Sequence, residues 1–301
     1  MLRGSVSGPL AERIGHALAA PVIDEVRAFA RKLGEAVTAR TVLFYGSNLR
    51  TGSLDGVLDF YVLLDGPRET GIWPRVSYHE WRHGDQDLRA KVATMSLATF
   101  HAAASGELID TTIWARFVQP SALAWSRDTA SGDATAQAVA AAAITAARLA
   151  TALGPDEASA EDFWRCLFRA TYAAEFRVEK AGREESILSA NRAHFAGLLP
   201  LALAAGGIPF TSRDNLIRPG LTPANRADIR RWWVRRQKLG KPYNVLRLLK
   251  ASTTFEGAAR YAAWKIERHT GVAVALTPWM ERHPVLAAPR VLWRIWRGKR
   301  A

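Results

Sequence analysis

The amino-acid sequence predicts an α+β fold, in which a small mixed sheet with flanking helices is followed by a helical domain and a basic helical C-terminal segment. Three observations support this prediction. A short strand at 42–45 leads into a Gly-Ser turn, and a second strand follows at 58–65 after a polar loop. An alanine-rich run at 134–153 has the length and composition of one helix. Lysine, arginine and tryptophan are concentrated after residue 220.

The elements of the predicted sheet follow in order. An amphipathic helix at 21–34 is expected to pack on the first strand, because its apolar residues recur at helical spacing. In the second strand, Asp59 lies on the face opposite a row of alternating apolar residues. The stretch 73–83 lacks helical or strand periodicity, so we expect a long loop there. The remaining segments, which complete a small mixed sheet flanked by helices, are a strand at 91–95, a short helix at 97–104 and an apolar, β-branched run at 108–117.

The rest of the chain is predicted to be helical. A helix with Ser159 as a possible N-cap continues towards residues 175–177. The next element contains residues 189–195 and is expected to end near Pro200. Glycine and proline residues at 206–209 and 218–220 interrupt regular structure and indicate linkers. Further helices are predicted at 230–236, 243–249, 257–269 and 291–297. These patterns predict three domains at 1–125, 126–220 and 221–301.

Composition limits the class of protein. The chain has 301 residues and one cysteine, Cys166. A single cysteine excludes an internal disulfide and a cysteine-based zinc site, and it favours a reducing compartment. No run of eighteen or more uncharged apolar residues is present, so we expect no membrane-spanning helix. The N-terminus lacks the continuous apolar core of a signal peptide.

Positive charge is distributed unevenly along the chain. The net charge is +13, and residues 221–301 contain 18 of the 41 Lys and Arg but only 4 of the 28 Asp and Glu. The same segment holds six of the eleven tryptophans. Basic residues interleaved with tryptophan are typical of surfaces that meet an anionic membrane or nucleic acid. We see no nucleic-acid-binding motif, so no nucleic-acid partner is expected.

The Gly46-Ser47 turn and Asp59 together indicate phosphate chemistry. A glycine allows the backbone to approach a triphosphate closely, and a serine hydroxyl donates to phosphate oxygens. A carboxylate on the next strand binds Mg²⁺, which is held by one or two carboxylates plus substrate phosphates. A strand, a Gly-Ser turn and a carboxylate on a second strand resemble the active-site core of the nucleotidyltransferase superfamily. The alternative is a hairpin-like pair with a surface aspartate.

The usual second carboxylate of that superfamily is missing, because Tyr61 occupies its position. Either another residue supplies the second ligand or the site is degenerate. We expect Lys91 and Arg116 near the phosphates, although both could be ordinary surface cations. The candidates for the second ligand are Asp55, Asp65, Asp110 and Glu175.

Five segments between 42 and 199 occur in the order of one known family: Tyr45-Gly46-Ser47, Leu58-Asp59-Phe60, Trp114-Ala115-Arg116 with Gln119-Pro120, Glu175-Phe176-Arg177, and 191–195. On these segments the chain resembles the peripheral mitochondrial-type phosphatidate cytidylyltransferases (CDP-diacylglycerol synthases of the translocator-maintenance type), as a divergent, bacterial-like member. That family also lacks the second carboxylate. In the third segment Gln119 replaces the lysine of the family.

The resemblance implies an activity and assigns residue roles. CTP and phosphatidic acid would give CDP-diacylglycerol and pyrophosphate with Mg²⁺, in a cleft between the nucleotidyltransferase domain and the helical domain. Asp59 and Glu175 would hold the metal, with Lys91 completing the catalytic set and Glu175 as a possible base. The residues expected to bind nucleotide or phosphate are Tyr45, Gly46, Ser47, Arg116, Arg177 and Asn191.

The C-terminal residues indicate a peripheral membrane contact. On a helix, Leu292, Ile295 and Trp296 share one face, and basic residues lie largely on another. The alternative is a terminal helix that packs on its own domain. We expect a cytoplasmic protein, peripheral on the inner face of the cell membrane. The predicted membrane residues are Arg290, Trp293, Arg294, Trp296 and Arg297.

Two other functions are consistent with the same residues. A nucleotidyltransferase that acts on a soluble small molecule or on RNA would keep Gly46, Ser47 and Asp59 but would need no membrane segment. A degenerate fold would bind nucleotide or membrane without turnover.

Overall fold

The computed structural model describes residues 6–71, 74–174, 183–254, 257–271 and 275–282. It confirms the α+β prediction: a five-stranded mixed sheet with flanking helices precedes further helices. The helices are α1 (Pro9–Leu18), α2 (Asp24–Ala36), α3 (Ser47–Thr51), α4 (Leu97–Ala104), α5 (Thr112–Phe117), α6 (Thr129–Leu153), α7 (Ala160–Ala174), α8 (Arg183–Ala190), α9 (Arg192–Phe195), α10 (Leu198–Ala205), α11 (Pro223–Thr254), α12 (Ala258–Thr270) and α13 (Pro278–Arg282). The strands are β1 (Thr41–Tyr45), β2 (Leu58–Leu64), β3 (Arg75–His83), β4 (Gln86–Ser96), β5 (Ser121–Ser126), β6 (Ala158–Ser159), β7 (Phe210–Arg213) and β8 (Leu216–Pro219).

The register of the large sheet determines where the polar residues meet. Its strand order is β3-β4-β2-β1-β5. β1 and β2 are antiparallel with Tyr45 opposite Asp59, and β2 and β4 are parallel with Asp59 beside Lys91. Partners on adjacent strands point to the same face of a sheet. Tyr45, Asp59 and Lys91 therefore lie side by side on one face.

Apolar packing covers both faces of this sheet, which explains why β2 is almost entirely buried. On one face, α2 packs on the sheet, with the ring of Phe29 6.0 Å from that of Phe60. On the other face, Tyr61 and Leu63 belong to a core with α4, α5 and α6. The predicted strands β1, β2 and β4 and the predicted helices α2, α4 and α6 are confirmed.

Two expectations about the sheet are wrong. The stretch 73–83, expected to be a loop, contains β3, which pairs antiparallel with β4. A strand at the edge of a sheet has one row of backbone groups in water, so it tolerates the polar side chains that hid its pattern. The run at 108–117 forms α5 instead of joining the sheet, and the fifth strand is β5, directly after Pro120.

The helical half also contains strands that the sequence did not predict. β6, β8 and β7 form a small antiparallel sheet where linkers were expected. Asp214 and Asn215 both have positive φ, 51° and 63°, as a two-residue hairpin turn requires. Pro200 lies in the first turn of α10 and does not end an element, because backbone N–H groups there have no helical acceptor. Ser159 caps α7, since its Oγ accepts from the Asp162 N–H at 3.2 Å.

Helix α6 forms the centre of the large core. Among the described residues it is the one helix that is long and apolar enough to cross a membrane, and 78% of its apolar stretch is buried inside the protein. Its alanines allow close approach of α1, α4, α5, α7, α10 and α11. This burial identifies α6 as a core helix by packing.

The basic C-terminal segment is attached to the first half of the chain. α11 is one helix that continues through Pro242, where two separate helices were expected. Its buried Arg236 donates to the carbonyl oxygens of Gly106 and Leu108 at 2.7 and 2.8 Å. Arg247 donates to the buried carboxylate of Asp110. α12 confirms the helix predicted at 257–269, whereas the predicted membrane residues Arg290, Trp293, Arg294, Trp296 and Arg297 lie outside the described residues.

Candidate active site

The turn after β1 brings the main chain against the carboxylate of Asp59. Gly46 has φ 94° and ψ −161°, a region open almost only to glycine. A Cβ on Gly46 would lie 3.2 Å from Oδ2 of Asp59. The backbone conformation therefore favours glycine strongly at this position, and a side chain there would press against the Asp59 carboxylate. The predicted Gly-Ser turn and the predicted carboxylate are immediate neighbours.

Replacing Gly46 by alanine is expected to destabilise the fold by about 1–3 kcal/mol, because alanine is strained at this φ and ψ. The added methyl group also displaces the Asp59 carboxylate. The free energy of unfolding in urea measures the change. Gly52→Ala is the matched control, since Gly52 has φ 64° and open space where its Cβ would lie. Equal losses in the two variants would contradict a special role for the contact with Asp59.

A cleft of about 260 Å³ opens over this end of the sheet. It lies between the β1–β2 end of the first half and the helices α7 and α8. Six of the residues predicted to act in a site line it together: Tyr45, Gly46, Ser47, Asp59, Arg116 and Asn191. The structure therefore collects into one cleft residues that are spread over nearly 150 positions of the sequence.

Arg116 is held over the aromatic floor of the cleft. Its Nη1 donates to the hydroxyl oxygen of Tyr61 at 2.9 Å, and its guanidinium carbon lies 5.2 Å from the ring centre of Tyr45. Tyr61 thus orients a cation. A guanidinium fixed in this way suits phosphate oxygens, which it can bind through two parallel hydrogen bonds.

The helices α8 and α9 close the other side of the cleft. The buried side chain of Asn191 donates through Nδ2 to the Ile187 carbonyl oxygen at 2.8 Å. A ring nitrogen of His194 lies 2.9 Å from the carbonyl oxygen of Val118, just after α5. Phe195 packs on Trp164 and Phe168 of α7. The run 191–195 therefore attaches the helical half to the wall that carries Arg116.

The electrostatics centre on Asp59. Burial raises the pKa of its carboxyl group, and the positive charges of Lys91 and Arg116 offset part of that rise. Burial also lowers the pKa of Lys91, although the Asp59 charge acts in the opposite direction. On β4, Lys91 lies beside Asp59, but it is not among the residues that line the cleft. Ionised Asp59 is thus costly in the fold, and a bound cation would stabilise it.

Three of the candidate second ligands do not line the cleft. Asp65 pairs with Arg127 at 2.7 Å and Arg40 at 3.5 Å, and six residues of extended strand separate it from Asp59 by roughly 20 Å. Asp110 pairs with Arg247, and Asp55 is exposed. Glu175 and Arg177 lie outside the described residues.

The side chains of the cleft supply the smallest number of carboxylate ligands with which magnesium is commonly bound. Within the described ranges, no group of three His, Cys, Asp or Glu side chains comes together. Asp59 supplies one carboxylate, and the exposed Ser47 hydroxyl lies in the same cleft. Magnesium is often held by one or two carboxylates plus substrate phosphates. Tyr172 of α7 lines the cleft three residues before Glu175.

Some residues of the cleft were not predicted from the sequence. Arg50 of α3 adds a second arginine, and Tyr172 and Ile187 line the helical wall. The position of Arg50 on the helix after the Gly-Ser turn is a signal that would have found it. Gln119, expected in place of a lysine, lines the cleft while its Nε2 donates to the Ala115 carbonyl oxygen at 3.0 Å.

Comparison with protein-family models gives no match for this chain, and comparison with curated proteins gives none either.

Proposed function

We propose that the protein is a magnesium-dependent nucleotidyltransferase that transfers CMP from CTP to phosphatidic acid. The observation that carries the proposal is the contact between the Gly46 backbone and the Asp59 carboxylate, in a cleft that also contains Ser47, Arg50 and Arg116. A close backbone, a hydroxyl, two guanidinium groups and one carboxylate suit a triphosphate with its metal ion. The choice of CTP and phosphatidic acid rests on the family resemblance.

The chemistry requires positioning more than proton transfer. An oxygen of the acceptor phosphate forms a bond to the α-phosphorus, and the bond from that phosphorus to the bridging oxygen breaks. Pyrophosphate leaves with the electron pair. The attacking oxygen already carries negative charge, so a strong general base is unnecessary. Magnesium, when bound, would neutralise charge on the phosphates.

The residues of the chain have separate roles in this scheme. Asp59 would hold the metal ion, and Gly46 and Ser47 would lie along the triphosphate. Arg116, oriented by Tyr61, would stabilise charge that develops on the phosphates. Lys91, the register partner of Asp59 on β4, would offset phosphate charge beside that carboxylate.

The test is an assay with purified protein, Mg²⁺, labelled CTP and phosphatidic acid in mixed micelles. Formation of CDP-diacylglycerol and pyrophosphate is the expected result. Transfer to a soluble acceptor or to RNA, without reaction of phosphatidic acid, would favour the second function considered above. Nucleotide binding without transfer to any acceptor would identify a non-catalytic fold and overturn the proposal.

Peripheral membrane binding forms part of the proposal, at the inner face of the cell membrane. Helix α11 exposes Val234, Leu239 and Leu246 beside the exposed cations Arg235 and Lys238. Apolar side chains among cations on one helix suit an anionic lipid surface.

Arg235→Glu combined with Lys238→Glu is expected to weaken binding to anionic vesicles at least tenfold, since each cation near such a surface contributes about 1 kcal/mol. Sedimentation with phosphatidylglycerol vesicles at two salt concentrations measures the effect. The control combines Arg31→Glu with Arg213→Glu, two exposed arginines on other elements. Equal losses in both double variants would show that only net charge matters.

A further inference from the structure

We propose that α12 and β4 form a second phosphate-binding site beside Asp59, which receives the phosphate monoester group of the acceptor. Its residues are Lys91, Lys265 and Arg268. The assignment to the acceptor rests on the proposed function, whereas the presence of a phosphate site does not.

Helix α12 lies against the outer strand of the sheet at the level of the candidate active site. A Cβ on Gly257 would lie 2.7 Å from the carbonyl oxygen of Tyr78, so the chain enters α12 in direct contact with β3. The ring of Tyr261 then packs 5.5 Å from the ring of Tyr78. Tyr78 is the register partner of Lys91 on β4. The start of α12 is thereby fixed beside the strand that carries Lys91.

Two cations of α12 point towards this end of the sheet. Lys265 lies close enough to Lys91 for its charge to lower the pKa of that lysine. The Nη1 atom of Arg268 would lie 3.1 Å from a Cβ on Gly56, three residues before Asp59. The Arg268 guanidinium also lies over the ring of Trp264, 5.3 Å from its centre. Arg268 therefore reaches the loop that leads into β2.

Among the described residues, positive charge predominates where α12 meets β4. The cations there are Lys91, Arg89, Lys265 and Arg268, with the Arg89 guanidinium 5.7 Å from the Trp264 ring centre. The carboxylates are Asp59, which acts on Lys91, and Glu80, which lies 3.8 Å from Arg89. Cations held near one another repel, and a phosphate group with two negative charges would relieve that repulsion. This excess positive charge is the reason to assign an anionic ligand to the site.

The sheet order indicates which substrate binds there. The cleft lies over β2, β1 and the start of β5, whereas Lys91 and α12 lie over β4 and β3, on the other side of Asp59. In phosphoryl-type transfer, the attacking and leaving oxygens are roughly in line on opposite sides of the phosphorus. A triphosphate bound near Ser47 and Arg116 therefore does not occupy the α12 side of Asp59, and the acceptor can bind on that side. This is also the side that carries the basic segment.

The test compares Lys265→Gln and Arg268→Gln with Arg260→Gln. Arg260 belongs to the same helix, is exposed and pairs with Glu281 at 3.7 Å. At saturating CTP, each of the first two variants is expected to raise KM for phosphatidic acid by about fivefold to tenfold, the loss of one charge-assisted contact. KM for CTP is expected to stay within about twofold, and Lys265→Arg is expected to restore most of the acceptor KM.

An increase in KM for CTP instead, or values equal to those of Arg260→Gln, would overturn the assignment to the acceptor. Binding of glycerol 3-phosphate and of short-chain phosphatidic acid, followed by NMR titration, tests the site without turnover. If the wild type catalyses no transfer but Lys265→Gln loses phosphate binding, the site stands and the proposed function fails. Equal phosphate binding by the wild type and both variants would disprove the site. If the variants lose binding of short-chain phosphatidic acid but keep that of glycerol 3-phosphate, the residues recognise more than a phosphate group. That result would overturn the phosphate assignment.

Discussion

Asp59→Asn is expected to lower kcat by about a thousandfold, an effect typical of losing a preorganised electrostatic group at the reacting centre. The amide keeps the shape of the side chain beside Gly46 but removes the negative charge that would hold magnesium. The measurement is CDP-diacylglycerol formation across a range of Mg²⁺ concentrations. Because the loss comes from the metal ligand, higher Mg²⁺ is expected to restore only a small part of the activity.

The same substitution is expected to increase stability at neutral pH. Burial raises the pKa of Asp59 in the folded protein, so ionisation costs stability once the pH exceeds the pKa of the unfolded chain. In the unfolded chain the carboxyl group titrates at about pH 4. Below that pH the group is protonated in both states and the cost is absent. The neutral amide of the variant carries no such cost, so Asp59→Asn should melt at a higher temperature than the wild type at pH 7 and at the same temperature at low pH.

Asp65→Asn is the matched control for both measurements, since Asp65 lies at the other end of the same strand and pairs with Arg127 and Arg40 at the surface. It is expected to keep full activity. Activity retained by Asp59→Asn, or lost equally by Asp65→Asn, would refute the role of Asp59. A lower melting temperature for Asp59→Asn at pH 7 would show the opposite balance. The attraction of the Asp59 carboxylate to Lys91 and Arg116 would then stabilise the fold by more than its burial destabilises it.

The sequence was sufficient to predict the elements whose side chains have a periodic environment. β1 and β2 are buried on both faces, and α2 and α6 have apolar residues at helical spacing, so their patterns are strong. That the Gly46-Ser47 turn and Asp59 belong to one site was predicted from a turn and a carboxylate on the next strand. Local chemistry was enough there, because β1 and β2 are adjacent strands that pair directly.

The sequence was insufficient where a distant partner determines the structure. β3 forms because β4 offers it hydrogen bonds, and its own polar residues carry no clear alternation. β5 starts directly after Pro120, which resembles a stop signal but is tolerated at the start of a strand. Lys265 lies more than 170 residues after Lys91 in the sequence. Their proximity depends on the course of α11 and α12 and has no local signal.

The course of α11 depends on a buried ion pair, and Asp110→Ala is therefore expected to destabilise the protein by about 3–5 kcal/mol. The Asp110 side chain is only 2% exposed and that of Arg247 14%. The hydroxyl of Thr112 also donates to the Asp110 carboxylate, at 2.7 Å. Removing the carboxylate deprives a buried guanidinium of the Asp110 counter-charge. The free energy of unfolding in guanidinium chloride, corrected for the added salt, measures the loss.

The double variant Asp110→Leu with Arg247→Met separates the buried charge from its packing. It removes both charges and keeps apolar volume, so it is expected to be more stable than Asp110→Ala. Hydrogen exchange adds a local readout, because α11 carries α12 towards Lys91. Amides of α11 should exchange faster in Asp110→Ala, while those of α6, which lies in the core, are protected. A cost of less than about 1 kcal/mol for Asp110→Ala, as for surface pairs, would show that this ion pair does not hold the basic segment in place. The position of Lys265 beside Lys91 would then depend on another contact, such as those of Arg236 with the carbonyl oxygens of Gly106 and Leu108.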